Sequence, residues 1–237
     1  MYKILFYLIM LSLTISCSSQ VLSSPINPTV NGPTGLVRMP TADSLGYKEF
    51  NVFCHYGVDS TVNKGVFRYG ANIGTFKSLE LGIIGKTDPI SNQMQDGVYV
   101  NMKYSLVDEE EMYPLKMALG LENMTSRNST DVYLVATKHF PAGFNLSFGA
   151  LFDFPNNNRM RTMGMIGGEF YLSGNTISIP MDVQIGETIT QFNLGLRWFI
   201  NSNISLAVNS LNVINDSSRI NLDNPTTYFG ISWENPF

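Results

Sequence analysis

Val98-Tyr99-Val100-Asn101-Met102-Lys103-Tyr104-Ser105-Leu106 alternates without a break. Val98, Val100, Met102, Tyr104 and Leu106 share one parity; Tyr99, Asn101, Lys103 and Ser105 share the other. Successive side chains of a strand point to opposite faces, so this stretch predicts a strand with one apolar and one polar face. The same reading extends over the chain from Glu49 onward. Clear alternation recurs at Leu115–Glu122, Phe144–Phe152, Ile177–Ile185 and Phe192–Trp198. Weaker versions lie at Glu49–Tyr56, Val66–Ile73, Ser78–Ile84, Asp131–His139, Met163–Leu172, Ile204–Leu211 and Thr227–Trp233. In Asp131–His139 and Met163–Leu172 the parity is not fixed. About twelve strands of this length, tilted by roughly 40°, would each cover the ~25 Å apolar band of an outer membrane.

The expected fold is therefore all-β: a single antiparallel transmembrane β-barrel of about 12 strands in an up-and-down meander. Connection lengths support it, because such barrels alternate short turns with longer outer loops. Gly57–Lys64, Gly85–Asp96, Asn123–Ser129, Asp153–Arg161 and Asn212–Pro225 are long; Gly74–Lys77, Phe140–Gly143, Ser173–Thr176 and Asn201–Asn203 are short. Gly186–Thr188 is short where a long loop is expected. The even strand count puts both termini in the periplasm. The competing fold, a soluble β-sandwich, would carry many Lys and Glu on its polar faces. Here those faces hold mostly Asn, Ser, Gly and Gln. Val98, Val100, Met102, Leu115, Met117, Leu119, Phe144, Phe148, Ile179, Val183, Leu194 and Leu196 are expected to face lipid. On this reading Val183→Lys is costly and Asn193→Lys nearly neutral.

Composition agrees. Charged residues make up 14% of the 237, against about 25% in soluble domains. Mean hydropathy is near zero, as expected when apolar residues are dispersed by alternation. The net charge of −4 speaks against a nucleic-acid partner, which would want a basic face. At the N-terminus, Lys3 followed by the apolar run Ile4–Ile15 and the small residues Ser16–Ser19 reads as a signal peptide over residues 1–19. Leu13-Thr14-Ile15-Ser16-Cys17 forms a relaxed lipobox, so lipidation of Cys17 is the alternative to its removal. Either way Cys54 has no disulfide partner within the chain.

Two resemblances sharpen this. The final stretch Tyr228-Phe229-Gly230-Ile231-Ser232-Trp233-Glu234-Asn235-Pro236-Phe237 resembles the last strand of Gram-negative outer-membrane barrels. That implies a bacterial outer-membrane location, and an assembly signal at Phe229, Ile231, Trp233 and Phe237 read by the barrel assembly machinery. Between the signal and the barrel, Gly32-Pro33-Thr34-Gly35-Leu36-Val37-Arg38-Met39-Pro40-Thr41-Ala42 resembles the "tGl-x-x-MPTA" motif of the YjbH-like outer-membrane barrels. The likeness is specific over Gly32–Phe53 and generic beyond. It implies a link to exopolysaccharide export; full-length members of that family are much longer. Residues 20–48 are accordingly a periplasmic or lumen-facing segment, and 49–237 the barrel. Pro40 opposes a helix there and Gly32 and Gly35 permit tight turns. The segment is either a lead-in outside the barrel or a strip folded into the lumen, with Arg38 meeting Glu80, Glu122 or Asp182.

Candidate lumen residues are Glu80, Lys103, Lys116, Glu122, Asp182 and Arg197. Mixed signs suit internal ion pairs filling a small barrel, or a lined polar pore. The expected lumen is polar and mostly occluded, with at least one Lys or Arg to Asp or Glu contact. No catalytic residue is assigned: neither His55 nor His139 has neighbours suggesting a hydrolytic site. No metal spacing and no cofactor motif is present, and no enzyme is expected. The run Asp108–Glu111 reads as a solvated periplasmic turn. Expected partners are outer-membrane lipid, the assembly machinery and polysaccharide or envelope proteins. The function expected is a surface or exopolysaccharide export-associated barrel, with a narrow pore for small polar solutes second and a barrel-embedded lipid hydrolase third.

Overall fold

The strands of the computed structural model are β1 (Phe50–Asp59), β2 (Lys64–Phe76), β3 (Leu79–Thr87), β4 (Met94–Val107), β5 (Lys116–Glu122), β6 (Ser129–Phe140), β7 (Phe144–Pro155), β8 (Arg161–Leu172), β9 (Ile177–Gly186), β10 (Thr190–Phe199), β11 (Ile204–Leu211) and β12 (Thr226–Asn235). The structure describes residues 26–59, 64–87, 94–110, 113–156, 159–172, 174–187, 190–213 and 226–235. Cys17, the signal segment and Phe237 lie outside them. Each strand pairs antiparallel with its sequence neighbours, and β12 returns to β1, with Phe50 opposite Asn235 and Asp59 opposite Thr226. The sheet thus closes with no free edge, which lipid demands because an unpaired backbone group there costs several kcal/mol.

One rim of the barrel is where β1 begins and β12 ends, called here the near mouth; the other is the far mouth. Several strands run past their expected ends toward the far mouth. β4 starts at Met94 rather than Val98, and β7 continues to Pro155 rather than Phe152. Alternation fades there because a strand that clears the lipid no longer needs an apolar outer face. The connections to the far mouth shrink by the same amount.

The outer wall is apolar. Ile83, Val98, Leu119, Phe148, Ile166, Ile185, Leu196, Trp198 and Ile231 all stand exposed, with Trp198 at 52% and Ile231 at 50%. So broad an apolar surface marks contact with lipid, not water. Val98, Tyr104 and Leu106 face out while Tyr99, Asn101, Lys103 and Ser105 are buried inside, the parity expected. A sandwich core is excluded: none of the twelve residues expected on the lipid face is buried. Phe229, Ile231 and Trp233 also face out.

The two strands of unfixed parity have a physical explanation. β6 turns Tyr133 and Val135 inward, and β8 turns Met163 and Met165 inward. These pack with Leu151, Ala118, Leu36, Met39 and Ala42 in one cluster inside the barrel. Both faces of β6 and β8 are therefore apolar in their middle, one toward lipid and one toward residues 36–42.

Val183, on the lipid face opposite Phe192 of β10 and Ile166 of β8, tests the outer wall. Val183→Lys is expected to cost about 2 to 4 kcal/mol, measured by denaturant unfolding in a bilayer.

Candidate functional site

Residues 27–45 run inside the barrel. From Asn27 to Ala42 every residue is buried except Asn31 and Arg38. The segment is not a lead-in lying outside. Its path is two stacked reversals, closed by the bridges Pro28 to Thr34 and Gly35 to Pro40. Thr29 N donates to Pro33 O at 2.7 Å, Val30 N to Val37 O at 2.9 Å and Leu36 N to Met39 O at 2.9 Å. Two glycines make this possible. Gly32 sits at φ +113°, where a side chain is strained. A Cβ on Gly35 would lie 2.7 Å from Pro40 Cα, inside the second reversal.

A strip this tightly turned leaves many backbone groups without partners of its own, and burial makes each one costly. The barrel wall supplies the partners. Asp182 Oδ2 on β9 accepts three successive N–H groups, from Val37 (3.0 Å), Arg38 (2.9 Å) and Met39 (3.2 Å). Its Oδ1 accepts from Asn193 Nδ2 at 2.7 Å. Glu80 on β3 accepts from Thr34 N (3.1 Å), the Thr34 hydroxyl (2.8 Å) and Leu45 N (3.1 Å). Cations take the carbonyls. Arg197 Nη2 donates to Gly35 O (2.8 Å) and Leu36 O (2.6 Å). Lys103 Nζ donates to Thr34 O at 3.0 Å and also meets the Thr34 hydroxyl and the Asp43 carbonyl. Asn72 Nδ2 bonds Gly32 O (2.7 Å), Thr137 Oγ1 accepts from Ala42 N (2.9 Å) and Ser205 Oγ donates to Asn27 Oδ1 (2.6 Å).

The wall charges also pair with each other. Arg197 Nη1 lies 3.0 Å from Glu169 Oε1, and Lys103 Nζ 3.6 Å from Glu80 Oε2. Lys103 is 1% and Arg197 2% exposed. Charges buried this deeply persist only when paired and hydrogen-bonded, and here strip and wall satisfy each other. The wall thins where the strip lies against it. A Cβ on Gly167 would meet Leu36 Cδ1 at 2.5 Å, and one on Gly195 would meet Val37 Cγ2 at 3.2 Å.

All six expected lumen residues point inward, but they do not form one group. Glu80, Lys103, Asp182 and Arg197 grip the strip. Lys116 sits at the near mouth, 3.4 Å from Asp43 Oδ1 and 3.8 Å from Asp108 Oδ1. Glu122 lies in the far half, where register places Glu122, Asp131, Asp153 and Arg161 in one row across β5 to β8. There Arg161 pairs with Asp153, and Asn123 Nδ2 donates to Asp131 Oδ2 at 3.0 Å. Arg38 reaches Asp182 through its backbone N–H. Pro40 and Gly35 hold the second reversal.

Several expectations are corrected. The lumen is occluded, but its filling is as much apolar as polar: Val30, Leu36, Val37, Met39 and Leu45 are at most 1% exposed. Asn193 is not a tolerant wall position, since it holds Asp182 and its Oδ1 accepts from Asn212 N at 3.0 Å. The turn at Asp108 is not merely solvated, because Glu109 bonds both Lys138 and His139. His139 and Asp43 were missed as interaction residues; nothing in their local sequence signals that they meet. At this mouth burial pushes the Asp43 carboxyl up, but the His139 hydrogen bond and charge, with Lys116 and Lys103, outweigh it and hold the group at about 2. Its stabilising contribution is present above the ordinary carboxylate range near 3.8 and is lost as pH falls through about 2. Among the described residues no group of three or more His, Cys, Asp or Glu side chains could hold a metal.

A scan against family models and a search of curated proteins found no match. Solved structures do match. The KdgM porin superposes with a TM-score of 0.58 at 10% identity, over 77% of this chain and 98% of its own. The NanC porin gives 0.58 at 11% identity, over 77% and 98%. An outer membrane channel from Pseudomonas putida F1 gives 0.50 at 12%, over 85% and 100%. The fold is that of these closed antiparallel barrels.

Two substitutions test the grip on the strip. Asp182→Ala leaves three buried N–H groups without an acceptor, and a loss of about 3 kcal/mol or more in unfolding free energy is expected. Asn193→Lys, which buries a new cation beside the strip, is expected to destabilise by about 3 kcal/mol. Both are read by denaturant unfolding in lipid.

Proposed function

We propose that this chain is an outer-membrane β-barrel closed at rest by its own N-terminal strip, working in cell-surface or exopolysaccharide export or assembly. The observation that carries the closed state is the burial of residues 27–45 inside the wall, with Asp182, Glu80, Lys103 and Arg197 bonded to the strip's backbone. Four buried charges tying an internal segment to the wall favour a closed barrel over an open passive pore. The exopolysaccharide link rests on the resemblance of Gly32–Ala42 to the YjbH-like motif, which falls on the plugging strip itself. In this reading the near mouth is periplasmic and the far mouth faces outward, and outer-membrane lipid and the barrel assembly machinery are the partners.

The fold likeness to porins favours a second reading, a narrow pore for small polar solutes. The two readings separate in planar bilayers. The full chain is expected to be silent or nearly so, and a variant lacking residues 27–45 to conduct. Large, stable conductance by the full chain would make the pore reading the correct one. Loss of surface polysaccharide on deletion of the gene is the expected outcome in cells; an unchanged amount would remove the export link while leaving the closed barrel intact.

A further inference from the structure

The strip is held by two kinds of contact. In mid-barrel the grip is buried. At the near mouth it is partly open to water and passes through Lys116 and one imidazole. His139, near the end of β6, has its Nε2 at 3.1 Å from Asp43 Oδ2 on the strip and its Nδ1 at 2.7 Å from Glu109 Oε2 on the connection between β4 and β5. A carboxylate can only accept. A ring that bonds carboxylates through both nitrogens must donate from both, so it is an imidazolium. The His139 backbone N–H also donates to Glu109 Oε2, at 3.2 Å. Side-chain exposure is 34% for His139 and 20% for both Asp43 and Glu109, so protons can exchange here.

We propose that His139 is a proton-held clasp: charged, it ties the strip's return limb to the β4–β5 connection, and on losing its proton it releases both together. A neutral ring keeps one N–H and turns a lone pair toward the other carboxylate, replacing an attraction by a repulsion. The surrounding charges are Asp43 and Glu109 on either side, Lys138 on the same strand and paired with Glu109, and Lys116 on β5, which lies between Asp43 and Asp108. Lys103 of β4 meets the Asp43 carbonyl. Glu169 and Tyr171 of β8 bond each other on the same inner wall. Lys116 also spans the strip and the connection, but as longer ion pairs of 3.4 Å to Asp43 and 3.8 Å to Asp108; among the described residues His139 alone hydrogen-bonds both, at 3.1 and 2.7 Å. Asp43 and Glu109 keep their charge well below neutrality, so the clasp opens on the alkaline side, where the ring loses its proton while both carboxylates stay charged.

The device regulates the plug described above, and its test does not depend on transport. Backbone hydrogen exchange of the full chain in lipid nanodiscs is followed by mass spectrometry across pH, corrected for intrinsic rates. Peptides covering residues 42–49 and 107–116 are expected to gain about tenfold in exchange through one shared alkaline transition, the size of one charge-assisted hydrogen bond. Peptides covering residues 30–39, held by Asp182 and Arg197, should not follow. In His139→Ala both segments should exchange fast at every pH. In His139→Lys, which keeps its charge to about 10, the transition should move up. Separate transitions for the two segments, or a shared transition that survives in His139→Ala, would overturn the clasp. If the barrel were not plugged at all, the 30–39 peptides would be unprotected throughout, which distinguishes failure of the clasp from failure of the closed-barrel reading.

Discussion

One carboxylate, Asp182, receiving three consecutive backbone N–H groups from Val37, Arg38 and Met39, holds the interior together. The strip reverses too tightly to pair its own donors, and Val37 and Met39 are buried too deeply to leave theirs to water. Three N–H dipoles converging on one oxygen form a nest for an anion. The anion is buried, so it too needs those donors. Each side makes the other tolerable. Arg197 repeats the logic with opposite sign on the carbonyls of Gly35 and Leu36. Between them, anion and cation clamp the ends of one four-residue turn against β9 and β10.

This coupling explains why the barrel's inner wall has the composition it does. A twelve-strand barrel is wider than the eight-strand barrels that side chains just fill. Wall residues alone would leave space. The strip occupies it, with Leu36, Met39 and Ala42 against Tyr133, Val135, Leu151 and Met165 on β6 to β8, and Val30 and Val37 against Val66, Leu211 and Tyr228 on the other side. Small residues such as Gly167 and Gly195 mark the places where its side chains press into the wall.

The barrel was legible in the sequence because its lipid face obeys a strict period, and nearly every strand was found within a few residues of its ends. The inward charges were legible for the same reason: Glu80, Lys103, Asp182 and Arg197 sit on the parity opposite to a clear apolar set. The strip's place in the lumen was not. Residues 27–45 have no period, and what fixes them are contacts up to 205 positions away in sequence, as between Asn27 and Ser232. The clue lay where the reading failed. β6 and β8 would not yield a parity because their inner faces are apolar, and an apolar inner face in a barrel means that something apolar lies within. Glu169 was lost with them, since it shares β8, and so was its partnership with Arg197. His139 and Asp43 meet only because the strip turns back to the near mouth, a fact carried by no local pattern.

Two readings of the inward charges, internal ion pairs or the lining of a pore, describe the same residues with the strip in place and with it gone. With residues 27–45 present, Lys103 and Glu80 pair with each other and with the strip's backbone, and Arg197 divides its donors between Glu169 and two strip carbonyls. Without the strip, the same side chains would face an aqueous channel of mixed sign. The residues that close the barrel are therefore those that would line it when open. Moving the strip exchanges one set of hydrogen bonds for water rather than exposing an apolar wall around the whole circumference. The apolar contacts of Leu36, Met39, Val30 and Val37 would oppose such a movement, because burial of apolar area has no replacement in water. The strip thus meets the wall through both kinds of contact, polar toward Asp182, Glu80, Lys103 and Arg197 and apolar toward β6 to β8.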